Sequence, residues 1–170
     1  MNIVFQTPRL TLRQLTEADA PLIFALNSDP VVLKYLHEPL LENEEHAAQI
    51  IRDIILPQYQ HKLGRWAIHL KENNEFIGWC GLKYRPELDE IDLGYRLIQK
   101  AWGKGYATEA AQYSLAHGFN ILNLKMITGR AHIENIASIK VLEKIGMDFI
   151  GEGIVDDCPV RTYTKAKPNA

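Results

Sequence analysis

Cysteine is scarce in this 170-residue chain. Cys80 and Cys158 stand far apart and form no C-x-x-C pair, so neither a redox couple nor a disulfide framework is written into it. Free thiols in a cytoplasmic protein are the simplest reading. The six histidines are scattered without H-x-x-x-H or H-E-x-x-H spacing, and no metal site is expected. No apolar run approaches bilayer-spanning length. The opening Met1-Asn2-Ile3-Val4-Phe5 lacks the basic segment and apolar run of a secretory signal. Basic charge is not in excess: 19 Lys and Arg face 21 Asp and Glu. No Lys/Arg run exceeds two residues, so no nucleic-acid surface is expected. Repeats, low-complexity stretches and linkers are missing too. What is present is ordinary for a globular chain, 46% hydrophobic and 24% charged. Residues 1–170 therefore read as a single domain with a sizeable core.

The most informative stretch is Glu90–Ala111. Ile91, Leu93, Tyr95 and Leu97 alternate with Glu90, Asp92, Gly94 and Arg96, which is the period of a half-buried strand. From Tyr106 onward Ala107, Ala110, Ala111, Ser114, Leu115 and Gly118 recur at helical spacing, predicting a helix packed closely on a sheet. Between them lies Lys100-Ala101-Trp102-Gly103-Lys104-Gly105. Glycines let a backbone approach a ligand, and the first amides of a helix have no internal partners. Strand, glycine loop and helix N-terminus together can hold a phosphate. The loop lacks the Walker spacing, and Thr108 stands where a dinucleotide fingerprint needs its third glycine. A plain surface turn also fits these few residues.

The rest of the chain supplies the context. Thr7–Leu15 reads as a first strand. Thr16 and Asp19 are close to a capping box that opens a short helix ending near Asn27, before Asp29-Pro30. Residues 31–59 read as mostly helical, with an irregular link at Lys34–Pro39 and an apolar face of Ala47, Ile50, Ile51, Ile54 and Ile55. Arg65–Leu70 and Phe76–Tyr84 form a hairpin leading to the Glu90–Leu97 strand. After the 106–120 helix, the Leu124–Ala131 strand should lie parallel to Glu90–Leu97, because such crossovers are right-handed. A helix capped by Asn135 and closed by Gly146 follows. Phe149–Val155 and Val160–Lys165 are the last strands, and Pro168-Asn169-Ala170 reads as a frayed tail.

Two motifs now carry a resemblance. Gly103 and Gly105 fit the Q/R-x-x-G-x-G/A loop of the GNAT acetyltransferases, although Lys100 holds its first place and Gln99 stands one residue early. Asn135–Met147 is similar to the second GNAT signature, N-x-x-S-x-x-x-L-E-K-x-G-F, departing only at Met147. The opening Thr7-Pro8-Arg9-Leu10-Thr11-Leu12-Arg13 resembles T-x-R-L-x-L-R of the branch containing ribosomal-protein-alanine N-acetyltransferases. The resemblance spans nearly the whole chain. It implies an α/β (α+β) GNAT fold: a mixed, mainly antiparallel twisted sheet of six to seven strands flanked by about four helices. It implies acetyl-CoA as co-substrate, without a metal, and direct acetyl transfer to a primary amine. A protein N-terminal amine is favoured. A small amine such as a polyamine or antibiotic, and a non-catalytic acyl-CoA-binding domain, are the alternatives. Homodimers are common in the family, but no interface is visible here.

The same resemblance assigns residues. Leu93, Gly94 and Tyr95 lie where two strands splay to accept the pantetheine arm. Trp102, Gly103, Lys104, Gly105, Tyr106, Ala107 and Thr108 would hold the pyrophosphate, and Asn135 and Ser138 would meet the cofactor arm. Lys140 and Lys144 could reach phosphates or simply be solvated. Tyr35, His37 and Glu38 fall on the acceptor side, though each also fits a solvated loop. An amine nucleophile must lose its proton; Asp92 is the first candidate base, with Glu87 and Glu90 as rivals. Many family members use a tyrosine on the second-signature helix as acid, but Leu142 stands there. Ser138 is the group similarly placed to reach the sulfur, ahead of Tyr95 and Tyr106. Ser114 and Ser138 lack a nucleophile-elbow context, and Cys80 reads as core.

Overall fold

The computed structural model, which describes residues 2–169, has eight strands. Met1 and Ala170, the end of the expected tail, lie outside the described residues. The strands are β1 (Ile3–Gln6), β2 (Leu10–Gln14), β3 (Gly64–Leu70), β4 (Phe76–Arg85), β5 (Glu90–Leu97), β6 (Met126–His132), β7 (Asp148–Val155) and β8 (Cys158–Ala166). They form one sheet in the order β1-β2-β3-β4-β5-β6-β8-β7. The resemblance implies six to seven strands; the sheet has eight, and β1 is the addition. It spans only four residues, too few to show an alternation. What holds it is tertiary: pairing with β2 and the Phe5 ring against Trp66 and His117, centroids 5.8 and 5.2 Å apart. Every neighbouring pair is antiparallel except β5 and β6, which run parallel because a helix crosses between them.

Four helices flank the sheet: α1 (Ala20–Asn27), α2 (residues 44–59), α3 (Tyr106–Asn120) and α4 (Ile136–Lys144). Thr16 and Asp19 form the expected capping box ahead of α1, and Arg13 grips the Asp19 carboxylate with two 2.8 Å bonds. α2 carries a π segment, Ile51–Ile55, between α-helical Glu44–Ile50 and Leu56–Tyr59. Pro57 has no N–H to donate one turn back and its ring crowds that carbonyl; the wider π turn relieves both. The irregular link expected at Lys34–Pro39 is present, but it extends over residues 31–43, so the helical piece expected before it is absent and α2 begins at Glu44. Pro30 and Pro39 bracket that segment, and Asn43 starts α2 by accepting the His46 amide at 2.8 Å.

Paired residues on adjacent strands point to the same face. One face buries Trp66, Ile68, Cys80, Leu82 and Leu93 against Ala110, Ala111, Leu115 and Phe119 of α3 and Ile139 and Leu142 of α4. On the opposite face Ala67, with Trp79 packed alongside, lies under Ile23 of α1 and Ala47, Ile51 and Ile55 of α2. No helix among the described residues is long and apolar enough to cross a membrane.

Candidate active site

The site begins where β5 and β6 stop pairing. They are joined only at Asp92↔Thr128 and Leu93↔Gly129, though β5 continues to Leu97 and β6 to His132. From Gly94 the strands part, and the edge of β5 faces an open notch. Two side chains occupy the region. On the α1/α2 face the Arg65 guanidinium lies across Gly94, so close that a Cβ there would sit 2.8 Å from its Nη1. On the α3/α4 face the Tyr95 hydroxyl donates to the Ser138 carbonyl at 3.2 Å and lies 2.6 Å from Ser138 Oγ. Burial pushes the Tyr95 phenol far above its ordinary value, so it remains a neutral donor. Asn135 caps α4 by accepting the Ser138 amide at 3.2 Å, which fixes Ser138 in the first turn. Leu142 is buried in the core and faces Gly129.

Below the notch, Gln99–Ala101 forms a short 3-10 turn and the glycine loop opens α3. Gly103 and Gly105 have φ of 75° and 81°, the left-handed region that a side chain disfavours. Among the described residues the amides of Gly103 through Thr108 donate to no protein acceptor. Free donors at a helix N-terminus, with nothing within 4 Å of the place a Gly103 Cβ would take, suit an anionic oxygen group.

The loop is clamped from the N-terminus of the chain. Arg9 Nη1 donates to the Lys104 carbonyl at 2.9 Å, and its guanidinium covers the Tyr106 ring at 4.4 Å. Glu109, in the first turn of α3, accepts from Thr7 Oγ1 at 2.6 Å, the Arg9 amide at 2.9 Å and Arg9 Nε at 2.6 Å. Burial raises the Glu109 carboxyl, but the bonds from Thr7 and Arg9 outweigh it and hold the group below its ordinary range. Thr7 and Arg9 of the opening motif thus act on a loop about a hundred residues away in sequence.

On the α1/α2 face lies a cavity of about 350 Å³, lined among others by Asn27, Glu38, His46, Arg65, Trp79, Lys83 and Arg96. Arg65 pairs with Asp92 at 3.1 Å through Oδ2, and Asp92 Oδ1 accepts no hydrogen bond from the described residues. Arg96 donates to Asn27 Oδ1 at 2.8 Å and to Glu38 at 3.2 Å. A second, shallower cleft around Arg13, Asp19 and His69 has its main polar groups bonded to one another.

The sequence-derived candidates fall into three sets. Leu93, Gly94, Tyr95, Asn135 and Ser138 meet at the notch, and Trp102 through Thr108 form the glycine loop and helix start. Trp102 is half exposed and its indole donates to the Leu97 carbonyl at 2.9 Å. Of Tyr35, His37 and Glu38, only Glu38 lines the cavity; Tyr35 packs on His132 at 5.3 Å and His37 is exposed. Asp92 lies at the start of the notch. Its rivals are engaged elsewhere: Glu90 by Arg130 at 2.8 Å, and exposed Glu87 by Arg85 at 2.9 Å. Lys140 and Lys144 are exposed on α4. Lys100, in the loop's first motif place, is ion-paired to Glu75. The cavity residues Arg65, Trp79, Lys83 and Arg96 are not among the sequence-derived candidates. Their one signal is that four large polar or aromatic residues stand at the non-core phase of β3, β4 and β5. No group of three His, Cys, Asp or Glu side chains among the described residues is placed to hold a metal.

The chain is similar to known proteins in sequence and in fold. A family model described as an acetyltransferase (GNAT) domain matches residues 9–148. An N-acetyltransferase of Bacillus licheniformis designated p20 is 36% identical over 162 residues, covering 95% of this chain and 87% of that one. Among solved structures, RimL, a ribosomal L7/L12 alpha-N-protein acetyltransferase in complex with coenzyme A, superposes with a TM-score of 0.83 at 18% identity, covering 97% and 98% of the two chains. A spermidine N-acetyltransferase from Vibrio cholerae, in complex with CoA and spermine, gives 0.80 at 20% identity, covering 95% and 97%.

Proposed function

The chain belongs to the GNAT acetyltransferase family, and from that premise we propose that it moves the acetyl group of acetyl-CoA directly to a primary amine, a protein N-terminal amine first among them. The observation that carries this reading is the parting of β5 and β6 immediately after Leu93↔Gly129, in line with a free-amide glycine loop at the start of α3. An extended, amide-containing arm can add to the open edge of β5 while a pyrophosphate meets the amides from Gly103 to Thr108. The open space at Gly103 fits that group. The protein N-terminus is favoured by the T-x-R-L-x-L-R opening and the serine-type second signature. Neighbours with protein and polyamine acceptors share the fold almost equally, so the fold does not choose.

In this reaction the amine lone pair attacks the thioester carbonyl carbon, the C–S bond breaks, the nitrogen loses a proton and the sulfur gains one. Asp92, with Oδ1 unengaged and its orientation set by Arg65, is the proposed proton acceptor, directly or through water. Tyr95 and Ser138 form one hydrogen-bonded unit at the notch and are the proposed donors to the departing sulfur. Ser138 also accounts for a site that lacks the helix tyrosine. Thiolate is a good leaving group, so positioning and electrostatics should contribute more than acid catalysis.

Thermal unfolding with acetyl-CoA, CoA and ATP in parallel tests the donor, since a ligand of the folded state raises apparent stability by mass action. Stabilisation by both CoA species and not by ATP is expected, followed by thiol release with N-terminal peptides. No response to either CoA species would overturn the assignment of the notch and loop.

A further inference from the structure

The acceptor cavity is cationic, and its cations are arranged rather than scattered. Arg65 and Arg96 lie over the Trp79 ring, at 4.7 and 5.2 Å from its centroid, which fixes both guanidinium groups. Arg65 is matched by Asp92. Arg96 is only 9% exposed, and its partner Glu38 is half exposed. The two Nη atoms of Arg96 have partners, but its buried Nε has none. Lys83 is half-buried and makes no hydrogen bond or ion pair with any described residue. Burial, then the charges of Arg65 and Arg85, push its ammonium below the ordinary value. Three cations thus stand against two carboxylates, Glu38 and Asp92. A buried donor without a partner is costly, and the charge excess is uncompensated by protein.

We propose that the acceptor carries an anionic group, in the first instance a carboxylate, close to the amine that is acetylated, and that the cations lining this cavity, Lys83 Nζ and the Arg96 guanidinium foremost, receive it. This rests on the acetyl-transfer reading above and narrows its substrate. The Arg65 guanidinium over Gly94 joins the cavity to the notch, so an acceptor seated here presents its amine near Asp92. A volume of about 350 Å³ takes the end of a peptide or a single amino acid. A polyamine would bring its second ammonium against Arg96 and Lys83. The anion has two possible sources, an acidic side chain near a peptide N-terminus or the carboxylate of a free amino acid, and both offer the same chemistry to the cavity.

Acceptors differing in one charge distinguish them. One arm uses peptides whose second residue is glutamate, glutamine or lysine. The other uses free amino acids against their carboxamides, with spermidine as the cationic reference. Thiol release gives kcat/KM, and thermal stabilisation by acetyl-CoA is recorded on every sample. The anionic member of a pair should exceed its neutral counterpart by roughly tenfold, the ratio that ~1.4 kcal/mol produces. The difference should lie in KM and shrink as salt rises. Lys83→Gln and Arg96→Gln should reduce the preference while acetyl-CoA still stabilises the variants. The arm that shows the preference identifies the source. Equal turnover within pairs, a preference for spermidine, or no turnover of any anionic acceptor by protein that acetyl-CoA stabilises would overturn the inference and leave the donor assignment standing. Loss of the acetyl-CoA response itself would overturn the reading beneath it.

Discussion

Replacing Glu109 by Gln tests whether the N-terminal strand region holds the glycine loop. The carboxylate receives Thr7 Oγ1, the Arg9 amide and Arg9 Nε. Thr7 is buried, and the Glu109 side chain is 14% exposed against 46% for Arg9. The amide can keep one oxygen as acceptor, but its NH2 then faces a donor. Losing a charge-assisted bond in a sheltered place costs about 1.5 kcal/mol, and the half-exposed Arg9 pair adds about 0.5. A total near ~2 kcal/mol corresponds to a Tm lower by about 4–8 °C in a chain of this size. Arg9, once released, no longer anchors the Lys104 carbonyl. Ordering one loop residue on binding should then weaken acetyl-CoA roughly tenfold, at about 1–2 kcal/mol per residue. Denaturation and calorimetric titration measure the two effects separately. The pH dependence checks the cause. Glu109 lies below its ordinary 4.5 in the folded protein, so its contribution is complete above that value and is lost as pH falls through the lower folded value. The stability gap between wild type and Glu109→Gln should therefore close in acid. Equal stability and equal acetyl-CoA affinity at neutral pH would refute the clamp.

Gly105→Glu should abolish acetyl-CoA binding, because it puts a side chain and a negative charge among the free amides at a left-handed position; unchanged affinity in calorimetry would sink the loop assignment. Ser138→Ala and Tyr95→Phe should each lower kcat more than acetyl-CoA affinity, and the double variant should lose less than the product of the two, since the hydroxyls touch. Multiplicative losses would separate their roles. Asp19→Ala breaks the sheltered pair with Arg13 and should cost about 3 kcal/mol, read as a lower midpoint in urea with activity per folded molecule retained.

Periodic elements far from irregular backbone were legible. The β5 alternation, the small-residue face of α3, the Asn135 cap and the Gly146 stop follow from local rules, and the structure places each as expected. The misses have physical causes. β1 depends on pairing and on the Phe5 contacts, and no four-residue pattern encodes those. The link expected at Lys34–Pro39 runs on in both directions, over residues 31–43, because Pro30 and Pro39 restrict the backbone on both sides. The π segment of α2 follows from Pro57, whose effect on the turn before it no apolar periodicity encodes.

The site divides along the same line. Its proposed cofactor half is built from two short contiguous motifs, so its residues could be named from sequence. Its proposed acceptor half is assembled from β3, β4, β5 and the α1–α2 loop, where each strand contributes single residues at alternate positions and no motif forms. That separation also bears on the proton acceptor. Asp92 was the first candidate from sequence, with Glu90 and Glu87 as rivals, all acidic and all near β5. The fold separates them by place: Glu87 is exposed on the turn before β5 and Glu90 stands at that strand's start against Arg130, whereas Asp92, held by Arg65, lies at the point where the strands part. Arg65 therefore has two tasks at once, orienting that carboxylate and continuing the cationic wall of the cavity. Removing it by Arg65→Met should lower kcat through Asp92 and raise KM through the lost charge, whereas Lys83→Gln should affect KM alone. A variant of Arg65 that changed only KM would move Asp92 out of the proton path.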